Sequence, residues 1–207
     1  SINDFVVPLF LDSSMSGKTA IPSLPNYYRH SLPSLLDEID ELMNLGLNKF
    51  LLFAKINDEL KDNTGKEALN PNGLYPKAIQ EIKKRFPQCL LMTDIALDPF
   101  SVFGHDGIVS DEQIINDQTV SILSKMAVLH AQCGADLVAP SDMMDGRIGA
   151  IRTALEENNL HQTGILAYSA KYASVFYGPF RDALDSAPGF GDKKSARRSN
   201  RDLGSGI

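Results

Sequence analysis

At 207 residues, with a formal net charge of −6 and 43% apolar residues, the chain has the size and balance of one domain with a substantial core. Nothing in the mildly acidic balance argues for a nucleic-acid or membrane-surface partner, so neither is expected, and no apolar run reaches the length of a membrane span. Cys89 and Cys133 stand far apart without metal-ligand spacing and read as reduced thiols in a reducing compartment. No signal-peptide pattern opens the chain, which begins on Ser1 rather than Met, as a trimmed precursor would.

Asp4 to Phe10 reads as a first strand, apolar along its length, although Pro8 is awkward for an interior strand. Leu11 to Arg29 is rich in Ser, Gly and Pro and reads as a loop. Leu35, Leu36, Ile39, Leu42 and Met43 recur at helical spacing, predicting a helix over 32–45 that Gly46 stops. Strands follow at 49–54, 89–95 and 136–140, and helices at 76–86, 116–133 and 147–158, with a polar loop over 57–73. Ile165 to Ser169 is a fifth strand, and 175–184 a further helix with Pro179 near its start.

This alternation argues for a parallel sheet, either doubly wound or a (β/α)8 barrel. No Gly-x-Gly-x-x-Gly follows a strand, which disfavours dinucleotide binding. Asp94, Asp98, Ser141, Asp142 and Lys171 all fall at carboxyl ends of strands, which a barrel gathers on one face.

Lys171 lies just past the fifth strand among the small residues Ala170, Ala173 and Ser174. A lysine so placed can lose its proton and attack a carbonyl, or it can simply snorkel at a strand end. Arg181 is a fixed cation suited to a two-pronged grip on a carboxylate. Side chains alternate along a strand, so Asp94, Ala96 and Asp98 would share one face, with Asp106 returning in the next loop. Asp98 and Asp106 could equally cap that loop. Ser141-Asp142-Met143-Met144-Asp145-Gly146-Arg147 reads either as a reactive loop or as a helix start capped by Asp145 with Arg147 solvated. His30, His105, His130 and His161 are scattered, and none is assigned a role.

Ser-Ala-Lys-Tyr-Ala-Ser at 169–174, Tyr-Gly-Pro-Phe-Arg-Asp-Ala at 177–183 and Ala-Pro-Ser-Asp-Met-Met-Asp-Gly-Arg at 139–147 are long words on separate elements. They resemble the porphobilinogen synthase (5-aminolevulinate dehydratase) family, from about Val7 to Lys194. The resemblance implies a (β/α)8 TIM-type barrel, of which about five units are read here. It implies condensation of two 5-aminolevulinate molecules into porphobilinogen in tetrapyrrole (heme or chlorophyll) biosynthesis. Lys171 would form the Schiff base, with Asp94, helped by Asp98 or Asp106, transferring protons. Ser141, Arg181 and Lys193 would hold substrate, Lys193 from a closing lid.

The positions that carry cysteines in zinc-using members are Ala96, Asp98 and Asp106, so a catalytic zinc is not expected. The resemblance is to the magnesium-responsive branch, with Asp98 and Asp106 as candidate ligands and Asp142 as an outer-shell contact. It further implies a homo-oligomer, in the cytoplasm or alternatively the plastid stroma. The family's second imine-forming lysine, on a later strand, has no counterpart in these residues. Domain 1–194 therefore reads as an incomplete barrel, followed by a basic tail over 195–207 with the composition of a disordered segment. The alternatives are a truncated, inactive binding or assembly subunit and a Schiff-base enzyme of aldolase type.

Overall fold

The computed structural model describes residues 2–172 together with 179 and 183. The helix expected over 175–184, both Arg181 and Lys193, and the tail over 195–207 therefore lie outside the described residues, apart from those two positions. Strands β1 (Val7–Asp12), β2 (Lys18–Ala20), β3 (Tyr28–His30), β4 (Lys49–Lys55), β5 (Leu90–Ile95), β8 (Leu137–Pro140) and β9 (Gly164–Ile165) form one sheet in the order β2-β3-β1-β4-β5-β8-β9. A separate two-stranded ribbon, β6 (Val109–Ser110) with β7 (Gln113–Ile114), stands in the loop after β5. The helices are α1 (Leu32–Asn44), α2 (Leu74–Arg85), α3 (Asn116–Gln132) and α4 (Arg147–Glu157).

β1, β4, β5, β8 and β9 run parallel, each joined to the next through one or more of these elements. Alternate residues along them face opposite ways. Leu9, Leu11, Phe50, Leu52, Leu91, Ile95 and Val138 pack against Leu35 and Ile39 of α1, Ile79 and Ile82 of α2, Leu123 and Met126 of α3, and Ile151 and Leu155 of α4. Phe10, Leu51, Phe53, Met92 and Ala139 gather on the other face, where Phe10 and Phe53 stack with ring centroids 5.6 Å apart. Among the described residues all four long helices thus cover one face. That is the wall of a (β/α) barrel, not a doubly wound sheet with helices on both sides.

The first strand begins later than expected. Residues 2–4 form a short 3-10 turn, and β1 extends to Asp12. Pro8 is in register with Leu51 of β4, but β3 pairs with β1 only at Phe10 and Leu11, so on that side no ladder bond is asked of the proline nitrogen. The expected loop over 11–29 holds β2 and β3, whose three-residue lengths are too short to show a period.

The fifth strand is also shorter than expected, and Pro140 explains why. Gly164 and Leu166 donate their N–H groups to the carbonyls of Asp136 and Val138. In a parallel ladder the next bond would run from residue 140 back to Leu166, and proline has no N–H to give. The β8–β9 ladder stops there, and the backbone from Ala167 to Lys171 must be held otherwise.

Candidate active site

The carboxyl ends of β5 and β8 and the segment after β9 meet around Lys171. Asp94, one residue before the end of β5, faces the same way as Met92, away from the helices. Its side chain is buried and accepts a hydrogen bond from Ser141 Oγ at 2.5 Å. The carbonyl of Ser141 accepts one from Lys171 Nζ, also at 2.5 Å. Asp106 Oδ2 lies 3.6 Å from the same ammonium. Ser141 therefore bridges the candidate acid and the candidate nucleophile, with its side chain on one and its backbone on the other.

Burial, with the nearby Asp98 and Asp106, raises the Asp94 pKa to about 8, against the lowering pull of the Ser141 hydrogen bond and of Lys171. The group is thus protonated at neutral pH and can act as an acid. Asp142 is fully buried, and its pKa is raised to about 7 by the same desolvation, opposed first by Arg147. Burial together with Asp94 pushes the Tyr168 phenol up to about 12.

Asp98 is buried, but in a 3-10 turn over 98–100. β5 ends at Ile95, so Asp98 reaches Asp94 through that turn and not by strand alternation. Asp106 and His105 are buried in the following loop, whose carbonyl at Asp106 accepts from Leu97 N at 3.3 Å. The structure thus brings together Lys171, Asp94, Ser141, Asp98, Asp106 and Asp142, while Arg181 and Lys193 fall outside the described residues.

The reading of 141–147 as a helix start capped by Asp145, with Arg147 solvated, is overturned. Gly146 caps α4 at φ 76° without a side-chain bond. Arg147 is buried, and its guanidinium turns inward to bond two carbonyls. A second charged pair escaped the sequence reading, Asp12 at the end of β1 and Lys55 at the end of β4, with Nζ and Oδ2 4.0 Å apart. Its signal was there: both residues close apolar strands.

No group of three His, Cys, Asp or Glu side chains among the described residues is arranged to hold a metal ion. Asp106 faces the Lys171 ammonium and Asp142 faces the Arg147 guanidinium. With cations already against Asp106 and Asp142, the described candidate ligands do not converge on a magnesium site.

The family model for delta-aminolevulinic acid dehydratase matches residues 1–204. The chain belongs to that family. The match runs past Lys194 into the tail expected to be unlike it. The chloroplastic delta-aminolevulinic acid dehydratase of Selaginella martensii is 50% identical over 196 residues, which are 93% of this chain and 46% of that protein. The Chlamydia pneumoniae delta-aminolevulinic acid dehydratase is 46% identical over 203 residues, 98% of this chain and 61% of its own length.

Among solved structures, the Toxoplasma gondii delta-aminolevulinic acid dehydratase (porphobilinogen synthase), in complex with its reaction product porphobilinogen, superposes with a TM-score of 0.88 at 44% identity. The similarity covers 100% of this chain and 62% of that one. The chain thus shares the TIM-barrel fold of the dehydratase family over part of the barrel, and it spans about half the length of the plant relatives it matches.

Proposed function

We propose that this chain carries the Lys171 half of a porphobilinogen synthase site, in which 5-aminolevulinate is captured as an imine. The observation that carries the reading is the run Lys171–Ser141–Asp94, two hydrogen bonds of 2.5 Å linking amine to buried acid. The neutral amine adds to the substrate ketone, and the carbinolamine hydroxyl then takes one proton and leaves as water, giving the protonated imine. Attack requires the ammonium to release a proton first, and Asp106 at 3.6 Å is placed to receive it. Asp94, still protonated at pH 7, is placed to protonate the departing hydroxyl. The imine acidifies the adjacent carbon for the condensation that gives porphobilinogen. Arg181 and Lys193 are proposed as the cations for the substrate carboxylate.

Incubation with 5-aminolevulinate and borohydride, followed by intact mass and peptide mapping, tests this reading. One reduced adduct on Lys171 is expected. Its absence, or a retro-aldol product in its place, would remove the assignment. The family's aspartates motivate a magnesium requirement, but the cations already paired with Asp106 and Asp142 support an imine step that needs none. Adduct yield should be unchanged by EDTA, and a loss restored by magnesium would return those aspartates to the metal.

A homo-oligomer is proposed as in the family, supported by the exposed Ile2, Phe5, Val6 and Leu45 around the start of the chain. Sedimentation that finds only monomers would overturn it. The free cysteines and the chloroplastic relatives support a reducing compartment, cytoplasm or plastid stroma. No helix among the described residues is long and apolar enough to cross a membrane.

A further inference from the structure

The ladder between β8 and β9 ends where Pro140 has no N–H to offer, five residues before Lys171 on the facing strand (Leu166). Something else must fix the backbone that carries the amine. Arg147 is the group at that gap. Its Nη2 donates to the carbonyl of Tyr168 at 3.1 Å, and its Nη1 to the carbonyl of Met144 at 3.1 Å. Its Nε lies 3.2 Å from Asp142 Oδ2, an ion pair that is off line for a directed hydrogen bond. The other oxygen of Asp142 accepts from Met144 N at 2.8 Å. One buried guanidinium thus ties the Lys171 segment to the Ser141 loop, and that loop supplies the carbonyl on which Lys171 Nζ rests.

We infer that Arg147 is a positioning residue for Lys171, its guanidinium replacing the ladder bonds that Pro140 removes. The inference rests on the imine reading above for its consequence in catalysis, but not for the tether itself. A planar cation with several fixed donors can bridge two carbonyls and a carboxylate at once. A lysine gathers its donors on one nitrogen, which cannot stand at the positions of Nη1 and Nη2 together. Arg147 touches no reacting atom. It acts by keeping the amine against Ser141 and Asp106 and off solvent.

The test uses the 207-residue chain in wild-type, Arg147→Ala and Arg147→Lys forms. Competitive acetylation with limiting acetic anhydride, read by peptide mass, reports the reactivity of each lysine without any substrate. Loss of the tether should raise Lys171 labelling about five-fold or more and leave Lys83 within about two-fold. Lys83 is the internal control because Asp136 and the Cys89 carbonyl anchor it elsewhere, at 2.9 and 2.8 Å. Borohydride trapping with 5-aminolevulinate should fall about ten-fold or more in the same variants. Added guanidine should reverse both changes in Arg147→Ala.

Opposite movements of labelling and trapping, confined to Lys171, are the expected signature. Lys171 and Lys83 rising together would make Arg147 a merely structural residue and overturn the inference. So would labelling of Lys171 that does not change in Arg147→Lys. A wild-type chain that traps no adduct would refute the imine reading, whereas acetylation would still decide the tether.

Discussion

Thr93 and Asp94 are neighbours in β5 and point to opposite faces, and each side chain meets a buried world of a different kind. Thr93 faces the helices, where His130 Nδ1 lies 3.0 Å from its hydroxyl and the Tyr75 ring sits 4.7 Å from the imidazole. Asp94 faces the strand ends, among Ser141, Asp98, Asp106 and Lys171. Desolvation is the leading cause of both perturbed groups. It lowers His130 to about 3 and raises Asp94 to about 8. In each case burial removes the charged form, so a large shift alone does not mark a site. The environment of Asp94 differs in holding charges of both signs and a candidate nucleophile. His130 has a hydroxyl, a phenol ring and apolar helix. One is a core histidine and the other a candidate acid.

The sharpest way to break this comparison is Asp94→Asn. The carboxamide keeps the shape and can accept from Ser141 Oγ, but it has no proton to give, so imine formation should slow by roughly 10²–10⁴-fold. Stability should move the other way. The folded state keeps the Asp94 proton up to about pH 8, whereas the unfolded chain releases it near 4. Folding therefore takes up a proton between about pH 4 and 8, and wild-type stability falls across that window at up to about 1.4 kcal/mol per pH unit before levelling off. The carboxamide variant lacks the slope, so urea midpoints should favour it by a few kcal/mol at pH 9 and by little at pH 4. Equal pH slopes in the two proteins would show that Asp94 is ionised in the fold.

His130→Met should do the reverse. The imidazole is neutral in the fold down to about pH 3, while the unfolded chain protonates near 6.5. Its contribution is present above about pH 6.5 and is lost as pH falls toward 3, again at up to about 1.4 kcal/mol per unit. His130 Nε2 is buried and meets no hydrogen-bond partner among the described residues, so an apolar side chain of similar volume relieves that penalty. The variant should resist acid better than wild type by a few kcal/mol at pH 4, with borohydride trapping at pH 7 unchanged. A drop in trapping would mean that the two faces of β5 are coupled.

Most of the architecture was legible because its elements are long and periodic. The four helices carry long periods, and the strands at 49–55, 90–95 and 137–140 carry short, mainly apolar runs. Ser141, Asp142 and Lys171 stood out because motif word and strand end coincide there, Asp94 because it closes a strand, and Asp98 and Asp106 only through the positions that match the family's cysteines; the fold gathers all six near one ammonium. Arg147 did not stand out, since an arginine after a glycine looks the same whether it turns to water or to a carbonyl 21 residues on. The pair Asp12–Lys55 was missed for a related reason: pairing across parallel strands depends on register, which composition does not encode. The early stop of β9 was in principle readable from Pro140, but only once the identity of the facing strand was known.

Thr93→Val gives the smallest expected effect and the finest discrimination between the two faces. The isostere deletes the hydroxyl that meets His130 and leaves the backbone of β5, and so Asp94, where it is. Loss of one buried hydrogen bond with a partner left behind should cost about 1–2 kcal/mol, read from the shift in urea midpoint at unchanged slope. The double variant Thr93→Val/His130→Met should cost less than the sum of the singles, because the hydroxyl and the imidazole are each other's partner. Trapping of 5-aminolevulinate on Lys171 should stay within about two-fold of wild type in both, since a side chain on the helix face has no path to the amine except through the strand itself. If trapping instead falls with the stability, the rigidity of β5, and not only the charges at its end, sets the place of the acid.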